Sequence, residues 1–288
     1  MPVVNQVRAS SSGQAPSRTL LSKVRSCYQR YSARLVFKQT LVIRPDRPFI
    51  SFTFDDFPRS AWLTGGAILK RFGLNGTYYV SLGLAGKTEP SGSMFLLSDL
   101  KTLFESGHEL GCHTFSHCHA WDTDSDSFEA SVVQNRSELQ RLIPGAEFRS
   151  LSYPIGLPRP RTKARMAKYF ASCRAGGQTF NAEKGDLNQL SAFFLEMSRN
   201  DIGTVKELID RNRERRGWLI FATHDIAEAP TPFGCTPDFF ENVVAYAVAS
   251  GSRILPVARA LDEIRGRQFG NGPLSNVDKP RPSKSFLR

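Results

Sequence analysis

Two carboxylates stand side by side at the end of an apolar run, Phe49-Ile50-Ser51-Phe52-Thr53-Phe54-Asp55-Asp56. Roughly sixty residues further on, two histidines stand four apart in His113-Thr114-Phe115-Ser116-His117. Imidazole nitrogens and a carboxylate oxygen make a three-ligand set for Zn²⁺ that leaves a position open for water. On a helical turn, residues i and i+4 share one face, so the spacing predicts a turn of helix offering both imidazoles to one ion. The adjacent Asp residues alternate faces along a strand. At the strand's end, where the chain turns, they can do two different jobs around one site. The competing readings are an Asp-Asp turn that merely closes a strand and histidines that are packed or solvated. Three of the five His (His113, His117, His119) fall within seven residues, which favours a metal site. A closed Cys₂His₂ site with Cys112 and Cys118 is disfavoured, because each Cys adjoins a His and leaves too little chain for four tetrahedral ligands.

The elements that must position these residues follow from periodicity and punctuation. Phe49–Phe54 reads as a buried strand. Ala61–Phe72 reads as a helix ended by Gly73, residues 75–81 as a strand, and Asp99–Glu105 as a helix capped by Ser98. Glu109–Cys112 is a short strand leading into the His pair, and Ser125–Leu142 a helix. Glu147–Tyr153 is a strand broken by Pro154-Ile155-Gly156. Arg161–Phe170 follows as helix, Ala171–Arg174 as extended chain, residues 176–189 as loop and Ser191–Met197 as strand. Val205–Glu214 is helix, and Trp218–Thr223 is a strongly apolar strand that delivers His224. Pro237–Ala249 and Val257–Ile264 are the last helices. Strands alternating with helices predict a parallel sheet with crossover helices, either a barrel or an open doubly wound sheet. In both, chemistry sits at the carboxyl ends of the strands, where Asp55, Asp56, His113 and His224 fall.

The formal charge of the 288-residue chain is +11. Residues 1–48 carry net +8 and residues 266–288 net +4, which leaves 49–265 at −1. The basicity lies in the tails, so the core offers no electrostatic footprint for nucleic acid and no preference for an acidic substrate. Residues 19–38 place Leu20, Val24, Cys27, Tyr28, Tyr31 and Leu35 at three- and four-residue steps among Lys and Arg. This predicts a basic amphipathic helix, suited to an anionic membrane surface or to packing on a protein. Five scattered Cys without a C-x-x-C pair suit a reducing compartment. With no signal peptide and no span of ~20 apolar residues, the expected location is the cytoplasm. The expected organisation is a basic N-terminal tail (1–44), a catalytic domain (45–265) and a basic C-terminal tail (266–288).

Thr53-Phe54-Asp55-Asp56, His113-Thr114-Phe115-Ser116-His117, Leu151-Ser152-Tyr153-Pro154-Ile155-Gly156 and Leu219-Ile220-Phe221-Ala222-Thr223-His224-Asp225 resemble, in order and spacing, the motifs of the polysaccharide deacetylase (NodB-homology, carbohydrate esterase family 4) family. The resemblance covers about residues 45–265. It implies a distorted (β/α) barrel of about seven parallel strands. It also implies metal-dependent removal of N-acetyl groups from an N-acetylated carbohydrate, such as a chitooligosaccharide or a cell-envelope glycan. By the same resemblance Asp55 is the base, Asp56, His113 and His117 hold the metal, His224 is the acid, and the backbone N–H of Ile155 faces the oxyanion. Zn²⁺ is the expected metal, and the ligand set also accepts Co²⁺ or Ni²⁺.

Two departures from the family pattern stand out. Ser152 occupies the place of an Arg that pairs with the catalytic Asp, with Arg149, Arg159 and Arg161 as candidate substitutes. The Asp-Trp motif is replaced by Met197-Ser198-Arg199-Asn200-Asp201, which makes Arg199 or Asp201 candidates to line the site. Tyr153 and Trp62 are candidates to stack on a sugar face. The alternative readings are a catalytically inactive carbohydrate-binding derivative and a deacylase of non-sugar amides or O-acetyl esters.

Overall fold

The apolar run before the paired carboxylates forms a strand in which every residue is buried, Phe49–Phe54. The computed structural model describes residues 31–268, with Val24 and Tyr28 besides. In chain order the strands are β1 (Thr40–Ile43), β2 (Phe49–Phe54), β3 (Thr77–Val80), β4 (Thr88–Glu89), β5 (Gly92–Ser93), β6 (Glu109–Cys112), β7 (Ser150–Ser152), β8 (Ser172–Gly176), β9 (Glu183–Asp186), β10 (Leu190–Phe194), β11 (Trp218–Thr223) and β12 (Arg253–Ile254). Seven of them, in the order β2-β3-β6-β7-β8-β10-β11, run parallel, and β11 pairs back onto β2 to close a barrel. The open doubly wound sheet is thereby excluded.

The barrel is distorted at one seam. β11 pairs along the whole of β2, whereas the other edge of β2 is shared. Phe49 and Ile50 pair with β12, and Thr53 and Phe54 pair with β3. Period-two alternation divides the apolar side chains between two cores. Ile50, Phe52, Phe54, Leu219 and Phe221 pack outward with helix residues such as Val132, Leu139, Phe240 and Val243. Phe49, Leu190, Ala192, Trp218, Ile220 and Ala222 gather with Leu261 and Ile264 of the last helix. That helix, Val257–Gln268, closes the amino-terminal end of the barrel. Its first amides donate to Thr77 Oγ1 (2.9 Å) and to Glu109 Oε2 (2.8 Å), side chains that begin β3 and β6. The buried Glu109 carboxyl thus meets a helix N-terminus, where negative charge is favoured.

Several local expectations are revised. The helix expected over Ala61–Phe72 starts as a π-helical segment, Ala61–Gly66, and becomes α only over Ala67–Arg71. At Gly66 a Cβ would lie 2.6 Å from the Trp62 ring, so the wide turn is packed around a missing side chain. The helix expected from Ser98 is capped by Leu96, whose N–H donates to Asp99. The expected loop 176–189 contains β9, which pairs antiparallel with β1. The basic helix expected over 19–38 lies only partly within the described residues. There, Val24, Tyr28, Tyr31 and Leu35 are all at least 60 % exposed, and Tyr28 rests edge-on against Trp121 with ring centroids 6.0 Å apart. Cys112, Cys118, Cys173 and Cys235 are free thiols. No helix among the described residues is long and apolar enough to cross a membrane.

Candidate active site

Alternation along each barrel strand sets which side chains reach the carboxyl-end mouth of the barrel. Asp55 continues the inward series Ser51, Thr53. His113 continues Glu109, Gly111, and Arg174 follows Ser172. Phe194 follows Leu190 and Ala192, and His224 follows Ile220 and Ala222. Asp56 cannot share that series and reaches the site by a backbone reversal, with φ at 60° for Asp56 and 62° for Phe57. Asp tolerates the left-handed region better than most residues.

Asp56 Oδ1 lies 2.9 Å from His117 Nε2 and 3.3 Å from His113 Nε2. Its other oxygen accepts a 2.7 Å hydrogen bond from Ser91 Oγ. Asp56, His113 and His117 offer ligand atoms that all lie within 4.8 Å of one another. The donor chemistry fits a cation. His113 Nδ1 sits 2.8 Å from the Ser152 carbonyl oxygen, which can only accept, so Nδ1 carries a proton and, in the neutral ring, Nε2 presents a lone pair. Asp56 Oδ1 is buried and has no hydrogen-bond partner among the described residues. Burial works against the Asp56 charge, but hydrogen bonds and positive charge from the two imidazoles when they are protonated outweigh it and hold the carboxyl well below the usual carboxylate range. Lone pairs and a fixed negative charge converging on one point are what a divalent ion requires.

The histidine pair is not on a helical turn, as its spacing suggested. His113 ends a strand, and Thr114 (φ 62°) and His117 (φ 51°) are left-handed, so the chain folds back on itself. Side chains hold this loop. Ser131 Oγ accepts from Phe115 N (3.0 Å) and Ser116 N (3.3 Å), and Thr114 Oγ1 accepts from Cys118 N (3.1 Å). Gly83 lets the loop approach, because a Cβ there would lie 2.6 Å from the Phe115 carbonyl.

Beside the cluster, Asp55 is buried and ion-paired with the Arg174 guanidinium, itself 1 % exposed. Arg174 also lies over the Tyr79 ring, 4.6 Å from its centroid, and Ser152 Oγ donates to Asp55 at 3.4 Å. None of the three arginines proposed to replace the missing family Arg does so. Arg149 pairs with exposed Asp262, Arg159 donates to the Trp121 and Asp122 carbonyls, and Arg161 has no contact with Asp55. Arg174 went unnoticed because it carries no motif of its own. Its strand register was the available signal, since Arg174 stands opposite Ser152 on the neighbouring strand.

Across the site, His224 Nδ1 is 3.1 Å from the Phe233 carbonyl, which leaves Nε2 facing inward, 4.0 Å from Asp56 Oδ2. Asp225 accepts from Thr231 N and Oγ1 and organises the loop that supplies this carbonyl. Ile155 adopts φ 55°, and its N–H meets no acceptor among the described residues.

Residues 43–171 match the family model for polysaccharide deacetylase. Over these residues the chain is similar to the polysaccharide deacetylase family. A family 4 carbohydrate esterase of Bacillus subtilis has a similar fold, with TM-score 0.52 at 13 % identity over 91 % of this chain and 95 % of that one. So has a family 4 acetyl xylan esterase of Clostridium thermocellum solved with a cobalt ion, with TM-score 0.52 at 18 % identity over 76 % and 92 %. A family 4 pseudoenzyme from Bacillus anthracis is alike to the same degree, with TM-score 0.52 at 12 % identity over 76 % and 67 %. No curated protein sequence matches the chain.

In this barrel the residues converge on a cavity of about 600 Å³, lined by Asp55, Asp56, His113, His117 and His224 together with Tyr153, Ile155, Phe194 and Glu196. Arg199, expected to line it, is exposed at the end of a 3₁₀ turn and does not. Asp201 caps the following helix, accepting from Gly203 N and Thr204 N. Trp62 packs on Tyr78 and on the buried His108 and does not line the cavity. His119 is half-exposed beside Asp122. Glu196 fills the place expected of Arg199 or Asp201, and sequence reasoning missed it.

Burial, aided by the charges of Asp55 and Asp225, pushes the Glu196 carboxyl up to about 8. Between pH 4.5 and 8 the folded chain therefore holds a proton that the unfolded chain has lost, and stability falls as pH rises through that window. Glu196→Gln removes this cost. Its stability advantage over wild type is expected to grow from nothing near pH 4.5 to about 2 kcal/mol above pH 8, after allowance for partial exposure. Urea unfolding at pH 4.5 and pH 9 measures it, and a pH-independent difference would contradict the protonated assignment.

Proposed function

We propose that this chain is a metal-dependent hydrolase that removes N-acetyl groups from an N-acetylated sugar in oligo- or polysaccharide form. The observation that carries the reading is the placement of the Asp56, His113, His117 cluster between the Arg174-paired Asp55 and the inward-facing Nε2 of His224. A divalent ion held by that cluster supplies, when bound, Lewis-acid polarisation of the acyl oxygen and acidification of water. Asp55 takes the proton of the attacking water, and Arg174 fixes the orientation of the carboxylate that takes it. His224 gives a proton from Nε2 to the departing amine, its ring held by the Phe233 carbonyl. The Ile155 N–H donates to the acyl oxygen as negative charge develops there. Water and amide yield acetate and a free amine. Zn²⁺ is the metal we favour, with Co²⁺ or Ni²⁺ as substitutes.

The inactive alternative rested on Ser152 in place of the family Arg and on the missing Trp, and Arg174 answers only the first of these. Deacylation of non-sugar amides or O-acetyl esters needs the same machinery and is separated by substrate alone. Acetate release from N-acetylglucosamine oligomers is expected from zinc-loaded protein, to be abolished by a chelator and restored by added zinc. About one ion per chain is expected in the wild type and none in His117→Ala, measured by elemental analysis. A wild-type chain that takes up no metal when zinc is supplied sinks the hydrolase reading.

A further inference from the structure

The cavity's mouth is built from apolar side chains that nothing in acetyl transfer to water requires. Ile155, Met197 and Phe233 line it from three separate loops, and they remain 58 %, 60 % and 42 % exposed. Isolated exposed apolar residues need no explanation, but a cluster at the rim of one cavity marks a binding surface. Ile155 is the telling member. It is β-branched, and its φ of 55° lies in the left-handed region that such residues rarely enter. The position therefore costs backbone strain and also leaves apolar area in water. Asn or Gly would avoid both costs while keeping the backbone N–H, so the side chain itself has a use.

Where the apolar surface lies identifies what it meets. The Phe233 ring centroid is 5.5 Å from that of His224, and Phe194 stacks on the same imidazole at 6.2 Å, 22° from parallel. Met197 and Phe233 stand on loops that follow the adjacent strands β10 and β11. Phe194 and Phe233 thus flank the imidazole assigned to the departing amine, Met197 stands on the neighbouring loop, and Ile155 completes the rim from the loop after β7. We infer, building on the deacetylase reading, that the substrate is an N-acylated amino sugar bearing an apolar alkyl or aryl aglycone, and that Ile155, Met197 and Phe233 bind that aglycone.

Zinc-loaded protein is titrated calorimetrically with the methyl and n-octyl β-glycosides of N-acetylglucosamine, the latter below its micellar concentration, and with methyl N-octanoylglucosaminide. The octyl glycoside is expected to bind at least tenfold more tightly than the methyl glycoside. Met197→Gln should lower that ratio at least threefold while leaving acetate release from the methyl glycoside unchanged. Ile155→Asn should also lower it, with unfolding stability held or raised, because Asn accepts the left-handed backbone. Equal binding of the two glycosides, binding of neither, or a ratio untouched by both variants overturns the inference. Tighter binding of the N-octanoyl compound alone overturns the assignment to the aglycone side. If no compound yields acetate but the octyl preference exists and is lost in the variants, the deacetylase reading fails and the apolar subsite stands.

Discussion

Asp55→Asn is expected to lower acetate release about 10³-fold while the metal content stays at about one ion per chain. The substitution keeps shape and removes the ability to take a proton, and a positioned general base is worth roughly 10²–10⁴ in rate. Asp55 lies outside the Asp56, His113, His117 cluster, so the ion has no reason to leave. The change also strips the Arg174 guanidinium of its counter-charge in a buried setting. The variant should therefore be less stable, and activity must be read at a temperature where its unfolding curve shows it folded. Elemental analysis beside steady-state kinetics makes the test. Retention of more than a tenth of wild-type turnover assigns the proton transfer elsewhere, and loss of the metal would show Asp55 to be a ligand.

Arg174→Met should cost about 3–5 kcal/mol of stability, the usual consequence of leaving one partner of a buried ion pair alone. Both members of this pair are almost wholly out of water, with side chains 1 % and 5 % exposed, so solvent screening offers little relief. Loss of the stacking on Tyr79 adds to the effect. Turnover should fall by about 10²-fold at neutral pH, because an uncompensated buried carboxylate favours its protonated form and cannot then accept a proton. Raising the pH should recover part of the loss, which a purely structural defect would not allow. Arg174→Lys keeps the charge without the fork, and is expected to recover most of the stability but less of the rate. Denaturant unfolding and a pH–rate profile for both variants give the answer. An Arg174→Met protein with wild-type stability and an unmoved profile would refute the pairing's role.

How much of this was legible beforehand depends on the range of the interaction concerned. Strand β2 and its two terminal carboxylates could be read from the chain because alternation and strand-end charge are local properties. Helix Ser125–Leu142 was legible for the same reason. The candidate ligands Asp56, His113 and His117 could be picked by residue type, yet the helical turn assigned to the histidines was wrong. Left-handed Thr114 and His117 set that loop, and its stabilising partner Ser131 sits on a later helix. The β1–β9 pair escaped notice because two four-residue strands joined across more than 130 residues leave no periodic signal.

Arg174 shows the division most clearly. The sequence by itself determined that Asp55 lacks the family's arginine at Ser152, that the core is nearly neutral, and that strand alternates with helix. Only the tertiary structure decided between barrel and open sheet, and only the pairing of β7 with β8 placed Arg174 beside Ser152 at the same height on the next strand. A charge stabilises its partner through distance and burial, whatever the number of residues between them, so a guanidinium supplied by β8 serves as well as one from β7. The same holds for Glu196, Met197 and Phe233, which meet at the cavity because parallel strands in register carry their following loops to one rim.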